Sequence, residues 1–124
     1  MSHTPASHAS IRIRVICGDE IAMGLGKADL LEAIGETGSI AAAGRRQGLS
    51  YRKAWLMVDE MNRCFASPVV EAMKGGAKGG GAHITELGRE ALRQYRSLQA
   101  RAEASIRKEL GAFRRLLADR PRQS

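Results

Sequence analysis

Apolar residues recur along this chain at two periods, and each marks a kind of element. From Ile11 to Cys17 the run IRIRVIC alternates apolar and basic positions and is rich in β-branched residues. That pattern predicts a half-buried strand with Arg12 and Arg14 facing solvent or a partner strand. GDEIAMGLG, which follows, is rich in turn formers and reads as a connector in which Gly24 and Gly26 punctuate the approach to a helix. Over Lys27 to Thr37 the period changes: Leu30, Leu31 and Ile34 fall at helical spacing, and Gly38 supplies a stop. Ser39 can cap a second helix, SIAAAGRRQ, which ends at Gly48 and is small enough to pack closely on a neighbour. Ser50 can cap a third, longer helix with an apolar stripe of Ala54, Val58, Met61 and Phe65, and Pro68 ensures that it stops nearby.

Beyond the third helix, Val69 to Met73 reads as a strand, Lys74 to Ala82 as a glycine-rich loop and His83 to Thr85 as a return strand, together a glycine-tipped hairpin. From Glu86 the pattern is helical for about thirty residues, with Leu87, Ala91, Tyr95, Leu98, Ala102, Ile106, Leu110, Phe113 and Leu117 in threes and fours. Gly111 is the position where that helix would bend or break, and DRPRQS from Asp119 should fray. A stripe longer than one small core can cover calls for a partner helix, which predicts a homodimer. The expected fold is mainly α with a small β wing: a flexible tail over 1–10, a winged helix-turn-helix over 11–85, a C-terminal dimerisation helix over 86–118 and a flexible tail over 119–124.

Length and composition fit that outline. The 124 residues suit one ordinary domain, and 44% hydrophobic with 27% charged residues suits a folded protein. Charge adds something new. Twenty Lys and Arg against 13 Asp and Glu leave a net charge of +7, which favours a polyanionic partner. Arginine heavily outnumbers lysine, suiting bidentate phosphate and guanine contacts. Cys17 and Cys64 lie in apolar stretches without the paired spacing of a zinc or redox motif, and both are expected to be buried, reduced thiols. No run approaches a membrane span and MSHTPASHAS lacks the apolar stretch of a signal peptide. The expected location is cytoplasmic.

Two helices joined by a tight glycine turn, the second opening with polar and basic residues, form the unit that places its second helix in the major groove of DNA. Here it is Ser39 to Ala66. Gly48 permits the turn, Leu49 can anchor it to the core and Ser50 can cap the recognition helix. The residues just past that cap, Tyr51, Arg52 and, one turn on, Trp55, reach base edges. Lys53 suits the phosphate backbone. Trp55 fits a DNA contact and a core anchor equally well. In the hairpin, Lys74 and Lys78 are the charges of a side-chain-poor tip that can follow a phosphate backbone or enter a minor groove. The predicted DNA-binding set is thus Ser39, Ser50, Tyr51, Arg52, Lys53, Trp55, Lys74 and Lys78, with no catalytic, metal or cofactor site.

The segments ETGSIAAAGRRQGLSYRKAWLMVDEMNRCF, VVEA and GGAKGGGAHITELGREAL resemble the N-terminal DNA-binding domain of the ModE family of molybdenum-responsive regulators over roughly Ile13 to Leu98. GSIAAAGRRQGLS is shared with the broader LysR-type class. SYRKAW, LMVDEMN and the glycine-rich wing ending in ITELG carry the narrower assignment. The resemblance implies that Tyr51, Arg52 and Trp55 occupy the recognition positions and that Lys74 and Lys78 lie in the wing. Full-length members continue into oxyanion-binding domains that sense molybdate. This chain is therefore expected to be a stand-alone, sequence-specific regulator of molybdenum-related genes without its own sensor, leaving room for a separate molybdate-binding partner protein.

Three other readings fit less well. GLGKA and GGAKGGG do not match the spacing of a phosphate loop, and His3, His8 and His83 form no HExxH-like cluster, so an enzyme is not expected. A non-specific architectural protein is the alternative that the charge alone would support. Single-strand RNA readers interleave aromatic with basic residues, and aromatic content here is 4%. A membrane-surface helix at the C terminus would want more large apolar residues than that stripe holds.

Overall fold

In the computed structural model, which describes residues 9–73 and 81–123, the chain runs through β1 (Val15–Cys17), β2 (Glu20–Met23), α1 (Leu25–Thr37), α2 (Ile40–Arg46), α3 (Tyr51–Cys64), β3 (Val70–Met73), β4 (Gly81–Ile84), α4 (Glu86–Ser105) and α5 (Arg107–Arg114). Each pair of strands is a separate antiparallel hairpin. Val70 pairs with Ile84 and Met73 with Gly81, so the second hairpin directly follows the helix-turn-helix. Helix content with a small β wing matches the expected fold class, a winged helix-turn-helix.

One apolar cluster joins these elements. Leu30, Leu31 and Ile34 of α1 meet Ile40 and Ala43 of α2, Ala54, Val58 and Met61 of α3, Val70, Ala82 and Ile84 of the second hairpin, and Tyr95 of α4. In α1 and α3 the side chains that the helical period marked as inward are packed in this cluster, whereas of the C-terminal stripe only Tyr95 is buried and Leu98, Phe113 and Leu117 are exposed. Phe65 is an exception in form: it caps α3 with an extended backbone instead of continuing the helix, yet still packs on the core.

Several expectations are corrected. The strand read over Ile11–Cys17 forms only over Val15–Cys17, and all three of its residues are exposed. Upstream, α4 captures the backbone in place of a partner strand. The Ile13 amide donates to Gln99 Oε1 at 2.8 Å, its carbonyl accepts from the Tyr95 hydroxyl at 2.7 Å, and the Ile11 carbonyl accepts from Gln99 Nε2 at 2.7 Å. The supposed connector contains β2, folded back on β1 by a turn in which Gly18 has a φ of 61°. α1 begins two residues early, at Leu25. The return strand is Gly81–Ile84 rather than His83–Thr85, and Thr85 instead caps α4, its hydroxyl accepting from the Gly88 amide at 3.0 Å.

The C-terminal segment read as one helix is two. The break falls at Ile106, whose φ of −117° and ψ of 19° leave the helical region, and Gly111 remains inside α5. Ser105 donates its hydroxyl to the Ala102 carbonyl at 3.0 Å just before the break, a local bond of the kind that competes with helical pairing. The thiols are also less hidden than expected: Cys17 is exposed and Cys64 half-buried, because β1 is an edge strand. Residues 1–8 of the predicted N-terminal tail, the wing lysines Lys74 and Lys78 and Ser124 lie outside the described residues.

Candidate nucleic-acid interface

Local chemistry shapes the helix-turn-helix. Ser39 Oγ accepts the Ala42 amide at 3.0 Å and so starts α2. At the other end Gly48 turns with a φ of 72°, in the left-handed region where a side chain is strained. The next amide, that of Leu49, reaches back to the Gly44 carbonyl at 2.8 Å, and its side chain packs on the core. Ser50 Oγ then accepts the Lys53 amide at 3.0 Å and starts α3. A β-carbon on Gly44 would lie 3.0 Å from that of Ala54. The two helices therefore approach as closely as their small residues allow.

The first turn of α3 presents Tyr51, Arg52, Lys53 and Trp55 on its exposed side, while Ala54 is fully buried. Trp55 is 40% exposed, so the core-anchor reading does not hold for it. Its ring meets that of Tyr51 edge to face, with centroids 6.2 Å apart. Tyr51, Trp55 and Ser39 share a groove of about 220 Å³ with Ala72, Gly81 and Ala82 of the wing strands. The structure thus brings three residues of the predicted set together against the base of the wing. Lys53 lies elsewhere, in a depression of about 350 Å³ lined also by Arg12 and Arg14. The sequence reading left those two arginines to solvent or a partner strand; the IRIR alternation was the signal that they share a face.

Charge separates the surface further. Lys27 pairs with Glu60 at 3.0 Å, Arg63 with Glu20 at 2.7 Å and with Asp59, and Arg96 with Asp29 at 3.0 Å and Glu32 at 2.5 Å. Arg46 pairs with Glu36. Among the described residues, Arg12, Arg14, Arg45, Arg52 and Lys53 form no ion pair, and the first turn of α3 holds no acidic residue. Cations without partners carry the full attraction for a phosphate. No group of metal-ligating side chains occurs among the described residues, and no helix among them is long and apolar enough to cross a membrane.

Asn62 is the positioning residue that the sequence reading passed over, although it lies within the quoted LMVDEMN. Its Oδ1 accepts the amides of Val69 at 2.8 Å and Val70 at 3.2 Å, and its Nδ2 donates to the Val70 carbonyl at 3.0 Å. The end of α3 is thereby bolted to the start of the wing.

No family model matches the chain. Among curated proteins it is 45% identical over 95 residues to the molybdenum-pterin-binding protein MopB of Rhodobacter capsulatus, covering 77% of this chain and 34% of that protein. It is 39% identical over 77 residues to the molybdenum transport protein ModE of Azotobacter vinelandii, covering 62% of this chain and 28% of that one. It is 38% identical over 66 residues to the DNA-binding transcriptional dual regulator ModE of Escherichia coli K12, covering 53% and 25%. Among solved structures, ArgP of Mycobacterium tuberculosis aligns over 66% of this chain and 30% of its own, at 20% identity and a TM-score of 0.46. The chain spans about a third or less of the length of these curated relatives. Over its matched residues it is homologous to the Mop and ModE proteins.

Proposed function

We propose that this chain is a sequence-specific double-stranded DNA-binding regulator of molybdenum-related genes. The observation that carries the reading is the first turn of α3, where Arg52 and Lys53 are exposed and free of ion pairs beside an exposed Tyr51–Trp55 pair at the base of a wing. Such a helix start fits the major groove, with Arg52 donating to a guanine and the aromatic pair meeting thymine methyls or phosphates. The names of the relatives, a DNA-binding dual regulator and a molybdenum-pterin-binding protein among them, support both the ligand and the gene class.

Arg52→Ala tests it. Discrimination between a selected genomic site and its altered versions should fall by roughly 1–3 kcal/mol. Lys53→Ala should weaken all duplexes alike and lower the salt slope by about one unit. An unchanged ranking of sites in Arg52→Ala would show that α3 does not read bases, as the architectural alternative requires.

The same proposal includes a homodimer through the C-terminal helices. Leu98 is 51%, Phe113 58% and Leu116 79% exposed, and α5 buries no residue against its own chain. Removing the residues after Leu98 should give a monomer with much weaker binding, and a native mass of one chain for the full protein would refute the dimer. A separate molybdate-binding protein is proposed as the source of the signal, since the hydroxyls of Ser39 and Ser50 already serve as caps. Operator affinity should then be indifferent to added molybdate, and a saturable several-fold response would refute it.

A further inference from the structure

The two cysteines are far apart in sequence yet meet in space. Cys17 closes β1 opposite Glu20, and Cys64 is the last residue of α3. The Cys17 thiol donates to the Cys64 carbonyl at 3.7 Å, and the Cys64 thiol donates to Glu20 Oε1 at 3.9 Å. Glu20, the strand partner of Cys17, thus also receives the Cys64 thiol. Glu20 binds Arg63 at 2.7 Å, so an ion pair clamps the first hairpin onto the end of the recognition helix beside them. The fold thus brings the Cys17 thiol against the backbone of Cys64, with Glu20 common to both cysteines.

From this juxtaposition we propose that Cys17 and Cys64 form a reversible intramolecular disulfide under a peroxide oxidant, making the contact between the first hairpin and α3 a redox modification site. Cys17 is the exposed member and meets the oxidant first. Its thiolate attacks one peroxide oxygen and the O–O bond breaks, giving a sulfenic acid and, after proton uptake, water. Cys64 then attacks the Cys17 sulfur as thiolate. The S–O bond breaks, the S–S bond forms, the hydroxyl leaves as a second water, and the peroxide has taken two electrons from the two thiols. Partial burial, Cys17 and Glu20 together hold the Cys64 thiol above its usual range, which suits a sulfur that resolves rather than one that reacts first. The bond would close a loop of 47 positions at the end of α3 opposite Tyr51.

The full-length reduced chain, treated with equimolar hydrogen peroxide, should lose both titratable thiols and two hydrogens of intact mass while remaining a single covalent chain. Dithiothreitol should restore it. The thermal midpoint of the oxidised form should rise by roughly 5–10 °C, because a loop of that length removes entropy from the unfolded chain. In Cys64→Ser a dimedone-type probe should trap the sulfenic acid on Cys17, and neither Cys64→Ser nor Cys17→Ser should show the rise. A covalent dimer on a non-reducing gel, two surviving thiols after the peroxide is consumed, or an oxidised form melting no higher than the reduced one would each overturn the proposal.

Discussion

Asn62→Ala removes every side-chain hydrogen bond that α3 makes, among the described residues, to the start of the wing. Three are lost: two amides that Asn62 Oδ1 accepts and one donation to the Val70 carbonyl. Each is a neutral bond worth about 1 kcal/mol net, and a buried amide left without a partner costs about 1–3 kcal/mol. Val69 is fully buried and Val70 4% exposed, so the orphaned amides are not simply handed to bulk water. Asn62 itself is only half-buried, which lets water enter part of the space and lowers the total. The expected loss is about 2–4 kcal/mol, large against the roughly 5–15 kcal/mol of an ordinary domain but not enough to unfold it in the cold.

Urea unfolding with a fixed slope measures that loss. Asn62→Asp keeps both acceptances and sacrifices only the donation, so it should cost about 1–2 kcal/mol and stand between wild type and alanine. If wing orientation matters to binding, Asn62→Ala should weaken all duplexes to a similar degree, because a displaced wing loses backbone contacts and no base reading. A loss below about 0.5 kcal/mol, or an aspartate variant worse than alanine, would refute the assignment of these bonds as the joint between helix and wing.

Two further perturbations probe the scaffold. A β-carbon on Gly88 would lie 2.3 Å from the Val69 carbonyl oxygen, so Gly88→Ala should destabilise by roughly 1–3 kcal/mol in thermal unfolding. Helix propensity alone would favour alanine by about 1 kcal/mol, and a stabilised variant would therefore refute the close approach of α4 to the wing. Tyr95→Phe should cost about 1 kcal/mol by removing the donation to Ile13. Burial raises the Tyr95 phenol above its ordinary value, so the folded state holds that proton more tightly. Its contribution is full below about pH 10 and is lost as pH rises through the folded value; urea midpoints across that range should fall less steeply in Tyr95→Phe than in wild type.

What was legible in the sequence was local. Ser39 and Ser50 announced their helices because a cap is a bond between a side chain and an amide three residues on. Thr85 makes the same bond to Gly88 but was hidden because, following Ile84, it read as the last residue of the return strand. β2 was missed because four residues after a two-residue turn show too little alternation to stand out. The IRIR segment was read as strand because its period is two, yet side chains of α4, more than eighty positions away, take up its backbone. Gly111 misled in the opposite sense: helix propensity marked it as weak, and the actual break falls at a serine and an isoleucine.

The net charge likewise said only that some surface must remain cationic, and the pairs decide which. Acidic side chains of α1 hold Arg96 and Arg46, those of β2 and α3 hold Arg63, and Glu60 holds Lys27. Subtracting these, and Arg93 held by Glu90, leaves Arg89 and Arg101 on α4 and two larger basic regions among the described residues. One is the start of α3 with Arg12, Arg14 and Arg45; the other is α5 and its continuation, where Arg107, Lys108, Arg114 and Arg115 form no ion pair. Charge does not choose between them, and the proposed assignment rests on shape. The α5 region is a convex helix carrying exposed Phe113, Leu116 and Leu117, apolar groups that a phosphate backbone would leave wet and a second helix would cover. The α3 region combines its free cations with an edge-to-face aromatic pair and a groove against the wing strands, the mixture of flat apolar surface and directed donors that base edges present in mirror image. The proposed function, DNA at α3 and a second chain at α5, rests on this division: it gives the free cations of α3 a phosphate partner and the exposed apolar side chains of α5 a cover.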